Sequence, residues 1–411
     1  MKRLAFLLFF GIMSSGCAGV SLPSQTSPSS VSDDISLVTG HAGFEHLATF
    51  DQHDGEWARS GLTAVGNALY GNTYLGGDSA CATLSRSCGV VYELEVGGIK
   101  RLHVFTGKPD GAEPWDDLTN AKGTLYGMTS LGGNSQSIYC NAESGCGAIF
   151  KISTSGEETI VHSFDNKPDG AYPGQDSLVY AKGALYGVTP EGGANFLGAI
   201  VRITLDGEES VVYSFTNADA TPQSISYVNG SFYVAAIGGN GEGVGMIEEL
   251  LANGKMKVLY VFKGSPDAAY PVGKLVAIGN TLYGASTGGG DPYCSGGCGT
   301  VYSLTTNGRE RVLHEFNHAS EGVQPTSGIV LAKGALYGAA CCAFVGGGSI
   351  YKVTTSGEES VIHAFGGNGG DARAPYGRPL FFDGALYGTT GFGGRLRNHK
   401  SGSGTVFKVT P

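Results

Sequence analysis

The cysteines are the residues of this chain most plainly spaced for chemistry. Eight of the nine fall in close pairs: Cys81 with Cys88, Cys140 with Cys146, Cys294 with Cys298, and the adjacent Cys341 and Cys342. Such short separations predict local disulfides for the first three pairs, which an oxidising compartment permits. Zinc is the rival reading, because Cys294-x-x-x-Cys298 has ligand-like spacing, but no His stands nearby to complete a site. Cys341-Cys342 is different. Adjacent Cα atoms lie about 3.8 Å apart, below the usual disulfide range of about 4.4–6.8 Å. A vicinal bridge there would be strained and easily reduced. Its plainer role is to shape a loop, and two reduced buried thiols would do the same.

Carboxylates form the second recurring set. Asp54, Asp110, Asp169, Asp219, Asp267, Glu321 and Asp371 stand in equivalent loops, with Pro-Asp-Gly intact at 109–111 and 168–170. A ring of such acids could bind cations, Ca²⁺ with its oxygen ligands first among them. The competing reading is structural: an Asp before Gly accepts backbone N–H bonds and caps its own turn. His103, His162, His314 and His363 each precede a strand-ending Phe by two residues, and Tyr213 and Tyr260 hold that slot elsewhere. Positions two apart share a sheet face, so these rings are read as packing residues. The chain carries no nucleophile elbow, His-Glu-x-x-His, phosphate loop or dinucleotide fingerprint. No catalytic residue, metal site or cofactor is therefore assigned.

Composition narrows the class of protein that positions these residues. The chain has 411 residues, 69 of them Gly, and is 41% hydrophobic but only 15% charged. Enough apolar residues remain for a packed core, and the Gly has no collagen period. A formal net charge of -10 leaves no basic footprint for nucleic acid. Lys2 and Arg3 followed by the apolar run 4–13 read as a signal peptide. Ser14-Ser15-Gly16-Cys17 resembles the lipobox of bacterial lipoproteins, with Ser14 in place of the usual Leu. Cleavage before Cys17 and its lipidation are expected, with ordinary signal-peptidase cleavage near Ala18 as the alternative. Residues 17–42 then form a Ser- and Pro-rich spacer.

The remainder, 43–411, is a seven-fold repeat. Leu-Tyr-Gly or a variant places Tyr70, Tyr126, Tyr186, Tyr233, Tyr283, Tyr337 and Tyr387 about 50 residues apart. The fourth copy, Phe232-Tyr233-Val234, is degenerate. Each unit reads as four short strands rich in β-branched and aromatic residues, joined by turns such as Lys182-Gly183 and Asp206-Gly207. Third strands begin at Gly89, Gly147, Gly198, Gly245, Gly299, Gly348 and Gly404. Fourth strands end at Phe50, Phe105, Phe164, Phe215, Phe262, Phe316 and Phe365. The first of those Phe residues precedes every complete unit, and the chain stops after a third strand. The fold expected is all-β: a seven-bladed β-propeller of four-stranded antiparallel blades, closed by N-terminal strand exchange, which removes an open edge.

The motif run Leu-Tyr-Gly-x-Thr, Gly-Gly, Gly-Thr-Val-Phe-Lys-Val-Thr, Gly-Glu-Glu-x-Val-x-x-x-Phe resembles the bacterial GloVer tandem repeat of choice-of-anchor proteins. Residues 386–409 and 336–365 carry good copies, and residues 223–262 the poorest. The resemblance implies an anchored, extracytoplasmic repeat protein and implies no reaction. Cys341-Cys342 alone is similar to the vicinal disulfide of some quinone-dependent propeller dehydrogenases. Those have eight blades and Trp-rich docking motifs, whereas this chain has two Trp.

The leading expectation is a lipid-anchored envelope or surface module, monomeric, that binds a protein or carbohydrate. The face bearing the Cys and acidic loops would carry the ligand. An enzyme acting on envelope or extracellular polysaccharide is the alternative. It predicts that a few residues on one face break the repeat, with perturbed carboxylates in a cleft. A purely structural scaffold is the third reading and needs no pocket.

Overall fold

A computed structural model describes residues 43–77, 81, 87–216, 221–238, 243–317, 322–341, 347–366, 372–394 and 402–411. The expected signal segment, Cys17 and the spacer lie outside the described residues, as do Asp219, Glu321, Cys342 and Asp371. Among the described residues every regular element is a strand. Each turn identified in the sequence closes a hairpin. Blade 3 illustrates the plan: Leu178–Ala181, Ala184–Thr189, Ala199–Ile203 and Glu209–Ser214 pair in chain order, all antiparallel. Blade 1 spans 63–104, blade 2 spans 111–163, and blades 4, 5 and 6 span 221–261, 268–315 and 323–364. Blade 7 takes Leu380–Phe382, Ala385–Thr390 and Thr405–Val409 from the C-terminal end and Phe44–Thr49 from the N-terminal end. Phe44 pairs with Val409 and Thr49 with Thr405. The architecture is therefore a seven-bladed β-propeller closed by strand exchange.

The repeat residues explain why the blades stack. The core is divided into seven clusters, each joining two neighbouring blades; the last unites Phe50 and Val406 of blade 7 with Leu62 and Tyr92 of blade 1. The strand-ending Phe is the recurring anchor. All seven are at most 1% exposed. Each donates its amide to the carbonyl of the Gly that opens the third strand, at 2.9–3.0 Å. Five of these rings pack edge-on against a third-strand aromatic of the next blade: Phe50 on Tyr92, Phe105 on Phe150, Phe262 on Tyr302, Phe316 on Tyr351 and Phe365 on Phe407.

The Gly of Leu-Tyr-Gly serves that same aromatic. Gly71 pairs with Tyr92, Gly338 with Tyr351 and Gly388 with Phe407. A Cβ at any of these glycines would stand under 3.0 Å from the ring. The aromatic side chain lies across the bare backbone, as in aromatic rescue of a strand glycine. Blade 3 uses the smaller pair Gly187 and Val201, and the degenerate blade 4 pairs Val234 with Glu248. Its hairpin register survives, so it still forms four strands.

Candidate functional site at the channel axis

The recurring acids form local units. Asp110 Oδ2 accepts the Thr106 amide at 3.0 Å and lies 3.2 Å from His103 Nε2. Asp169 accepts the Asp165 amide at 3.1 Å and lies 2.7 Å from His162 Nε2. Asp267 accepts the Tyr260 hydroxyl at 2.9 Å and the Lys263 amide at 3.0 Å. The acid thus caps its own turn and also bonds the ring seven residues earlier. A bulge in the fourth strand, just before His162, Tyr213, Tyr260, His314 and His363, aims that ring at the loop. Asp54 donates its amide to Asp51 Oδ1 at 2.9 Å.

The next blade supplies a third member, the second Glu of Gly-Glu-Glu. Burial pushes Glu158 up to about 7, with Asp110 adding to the shift and His103 opposing it. Glu310 is likewise pushed up to about 7, by burial first and then by Asp267. His103, Asp110 and Glu158 bring one ligand atom each within 4.8 Å of one another. The related group at Tyr260 keeps the arrangement without an imidazole. The sequence did not reveal that the His, Asp and Glu positions of adjacent repeats meet.

Disulfides join Cys81 to Cys88, Cys140 to Cys146 and Cys294 to Cys298, with Cα separations of 5.2, 5.3 and 5.0 Å. Cys341 is buried at the end of a second strand and is disulfide-bonded. Near the second of these bridges lies an open polar depression of about 560 Å³ lined by Asn134, Ser135, Asp165 and Lys167.

A different set of residues converges on the axis. In several blades the innermost strand is interrupted by a bulge, between 114 and 119 in blade 2 and between 325 and 330 in blade 6. The bulge begins with a left-handed residue: Trp57, Glu113, Tyr172, Tyr270, Gln324 and Ala374 have φ of 55–58°. The amides of Glu113, Tyr172, Tyr270 and Gln324 reach the carbonyls of Cys88, Cys146, Val244 and Cys298 in the preceding blade, at 2.6–2.9 Å. A Pro follows in each of these four, and its ring lies where a Cβ on Gly89, Gly147, Gly245 or Gly299 would be. The inter-blade lock then delivers the next few residues to the channel.

In blades 1 and 6 those residues are small, Ser60-Gly61 and Ser327-Gly328. In others they are charged: Asp116, Asp117, Asp176, Lys274 and Arg378. The three acids are 0–3% exposed. Arg378 Nε stands 3.5 Å from Asp117 Oδ2, which joins blade 7 to blade 2. Lys274 Nζ stands 3.7 Å from Asp176 Oδ1, which joins blade 5 to blade 3. The Gln175 amide of blade 3 donates to the Tyr376 carbonyl of blade 7 at 3.5 Å. These contacts cross the ring rather than run around it. Asp117 is further fixed by the Gly61 amide.

Asp116 is the least supported of the group. Both its oxygens are buried with no hydrogen bond of ordinary geometry. Burial, then the nearby Asp176 and Asp117, hold its carboxyl well above the usual range, and Lys274 offsets only part of this. Asp176 is raised for the same first reason, with Asp117 adding and Lys274 and Arg378 opposing. It also adopts a left-handed φ of 56°, a strain that persists only where the surroundings enforce it. This is a repeat broken by perturbed carboxylates at one place.

Arg59, which precedes Ser60-Gly61 in the chain, is 7% exposed. Its guanidinium carbon lies 4.9 Å from the ring centres of Trp57 and Tyr376, 5.3 Å from Trp115 and 5.7 Å from Tyr74. Both Trp residues of the chain are in this box, and all four rings are half-buried. The Tyr74 hydroxyl donates to Glu113 Oε2. Sequence reading missed the axial residues, because the positions preceding Leu62, Leu118, Leu178, Leu275 and Leu380 were not compared across repeats. Charge replacing Gly or Ser in that column was the available signal.

A family model described as the Gloeobacter/Verrucomicrobia repeat matches residues 34–247, 182–347 and 221–411. No curated protein matches the chain. Among solved structures, a luciferin-regenerating enzyme is similar with a TM-score of 0.45 and 14% identity, over 72% of this chain and 91% of that one. A gluconolactonase from Xanthomonas campestris is similar with a TM-score of 0.42 and 12% identity, over 82% of this chain and 94% of that one.

Proposed function

This chain belongs to the Gloeobacter/Verrucomicrobia repeat family, and from that premise we propose that it is an exported, lipid-anchored propeller that captures a carbohydrate ligand at the mouth of its central channel. One observation carries the reading. The blade interfaces repeat the same packing devices, yet both Trp residues, Arg59 and five further charged residues gather at the axis. Ligand sites are concave and aromatic-lined, with a few placed polar groups, and flat half-exposed rings suit the apolar faces of sugars. A purely structural spacer needs no such departure from its repeat. Anchorage rests on Cys17 and its lipobox-like setting. The three disulfides suit an extracytoplasmic address.

The polysaccharide-cleaving alternative draws on Asp116 and Asp176, whose raised carboxyls resemble a poised general acid. Both are fully enclosed, so the capture reading needs less rearrangement. The test is a glycan array probed with the mature, oxidised protein and with Trp57→Ala/Trp115→Ala. Saturable binding to one sugar class that the double variant loses supports the proposal. Binding that the double variant retains places the site elsewhere, and no binding by the wild type removes the reading.

A further inference from the structure

We propose that Arg59 is a preorganised receptor for the carboxylate of an acidic sugar. The inference rests on the channel mouth being the ligand face and adds the ligand's charge and class. Four aromatic rings surround the guanidinium at 4.9–5.7 Å and hold it by cation–π contact. They leave its edge, where the N–H donors lie, without acceptors. Arg59 makes no hydrogen bond and no ion pair with any described residue. Its Nε is enclosed and has no acceptor. The nearest acid, Glu113, is engaged by the Tyr74 hydroxyl and forms no ion pair with Arg59.

A buried cation without a counter-ion is costly unless something supplies the charge. A guanidinium caged by aromatic rings offers a carboxylate a two-point fork, which a Lys cannot reproduce. One guanidinium neutralises one negative charge. The Glu113 carboxylate acts on Arg59 through space, so a dianionic phosphate would meet more repulsion than a carboxylate. The surrounding rings supply the stacking surface for the sugar that carries it. A uronate combines the two features.

The two Trp residues flank Arg59, so intrinsic fluorescence reads this box without a label. The mature protein is titrated with oligogalacturonate and oligoglucuronate, with their methyl esters, and with inorganic phosphate. The methyl esters keep the shape and lose the charge. A saturable change with at least one uronate, tenfold or more tighter than its ester, is expected. Arg59→Gln removes that preference, and Arg59→Lys retains only a small part of it. Equal affinity for a uronate and its ester overturns the role of Arg59 and leaves the channel mouth standing as a sugar site. Tighter binding of phosphate than of uronate overturns the carboxylate assignment. No response to any probe overturns both. The comparison of acid with ester uses wild-type protein and does not depend on the variants folding.

Discussion

Replacing Asp116 with Asn should make the protein less sensitive to rising pH. Asp116 is enclosed, faces Asp117 and Asp176, and has Lys274 as the cation that most offsets them. Its carboxyl is raised in the folded state and ordinary in the unfolded chain, at about 3.9. Between those values the native state holds a proton that the unfolded state has released. Stability from this group is therefore complete below the unfolded value and is lost as pH rises through the folded one. The slope in that interval is about 1.4 kcal/mol per pH unit.

With roughly 330 described residues and an unfolding entropy of about 2.1 cal/mol/K per residue, each pH unit within that interval corresponds to about 2 °C in Tm. The assay is thermal or urea unfolding of both proteins at pH 5, 6, 7 and 8. The variant should gain on the wild type as pH rises above 5, and the gain should level off once Asp116 ionises in the folded state. A difference that stays flat with pH would refute the argument. A wild type that gains on the variant as pH rises would show Asp116 ionised and well paired with Lys274.

Other consequences follow from the inter-blade devices. Phe365→Ala empties a fully buried slot between blades 6 and 7 and should cost about 3–5 kcal/mol in urea unfolding, whereas Val361→Ala on the exposed outer face should be nearly neutral. Gly338→Ala sets a methyl against the Tyr351 ring and should cost about 1–3 kcal/mol; adding Tyr351→Val, the pairing that blade 3 already uses at Val201, should make the glycine substitution markedly less damaging. Glu158 is raised from 4.5 to about 7, so its contribution is lost as pH climbs through 7, and Glu158→Gln should flatten stability between about pH 4.5 and 7. Partial exposure reduces that effect to on the order of 1 kcal/mol.

The fold could be read from the chain because its determinants are local and repeated seven times. Phe105 closes a strand whose partner begins at Gly89, and the same pair recurs at Phe164 and Gly147, so counting strands was enough to predict the exchange in blade 7. The site could not be read this way. Asp110 and Asp169 drew attention as a periodic ring, yet each is held by its own His and its own turn. Asp116 and Asp176 are six or seven residues further on, in bulges that no strand period announces. Arg59 stood out still less: a lone cation becomes conspicuous only when folding surrounds it with rings from blades 1, 2 and 7 and leaves it without an ion pair. Glu158 and His103 come from different repeats, and their meeting depends on how neighbouring blades stack.

The most direct test of the account is a crystal structure of the mature protein with the sugar it binds most tightly. Density for the sugar against Trp57, Trp115 and Tyr376, with an acidic group facing Arg59, is the predicted result. Density confined to the polar depression by Ser135, or beside His103, Asp110 and Glu158, would contradict the claim that the channel mouth is the ligand site.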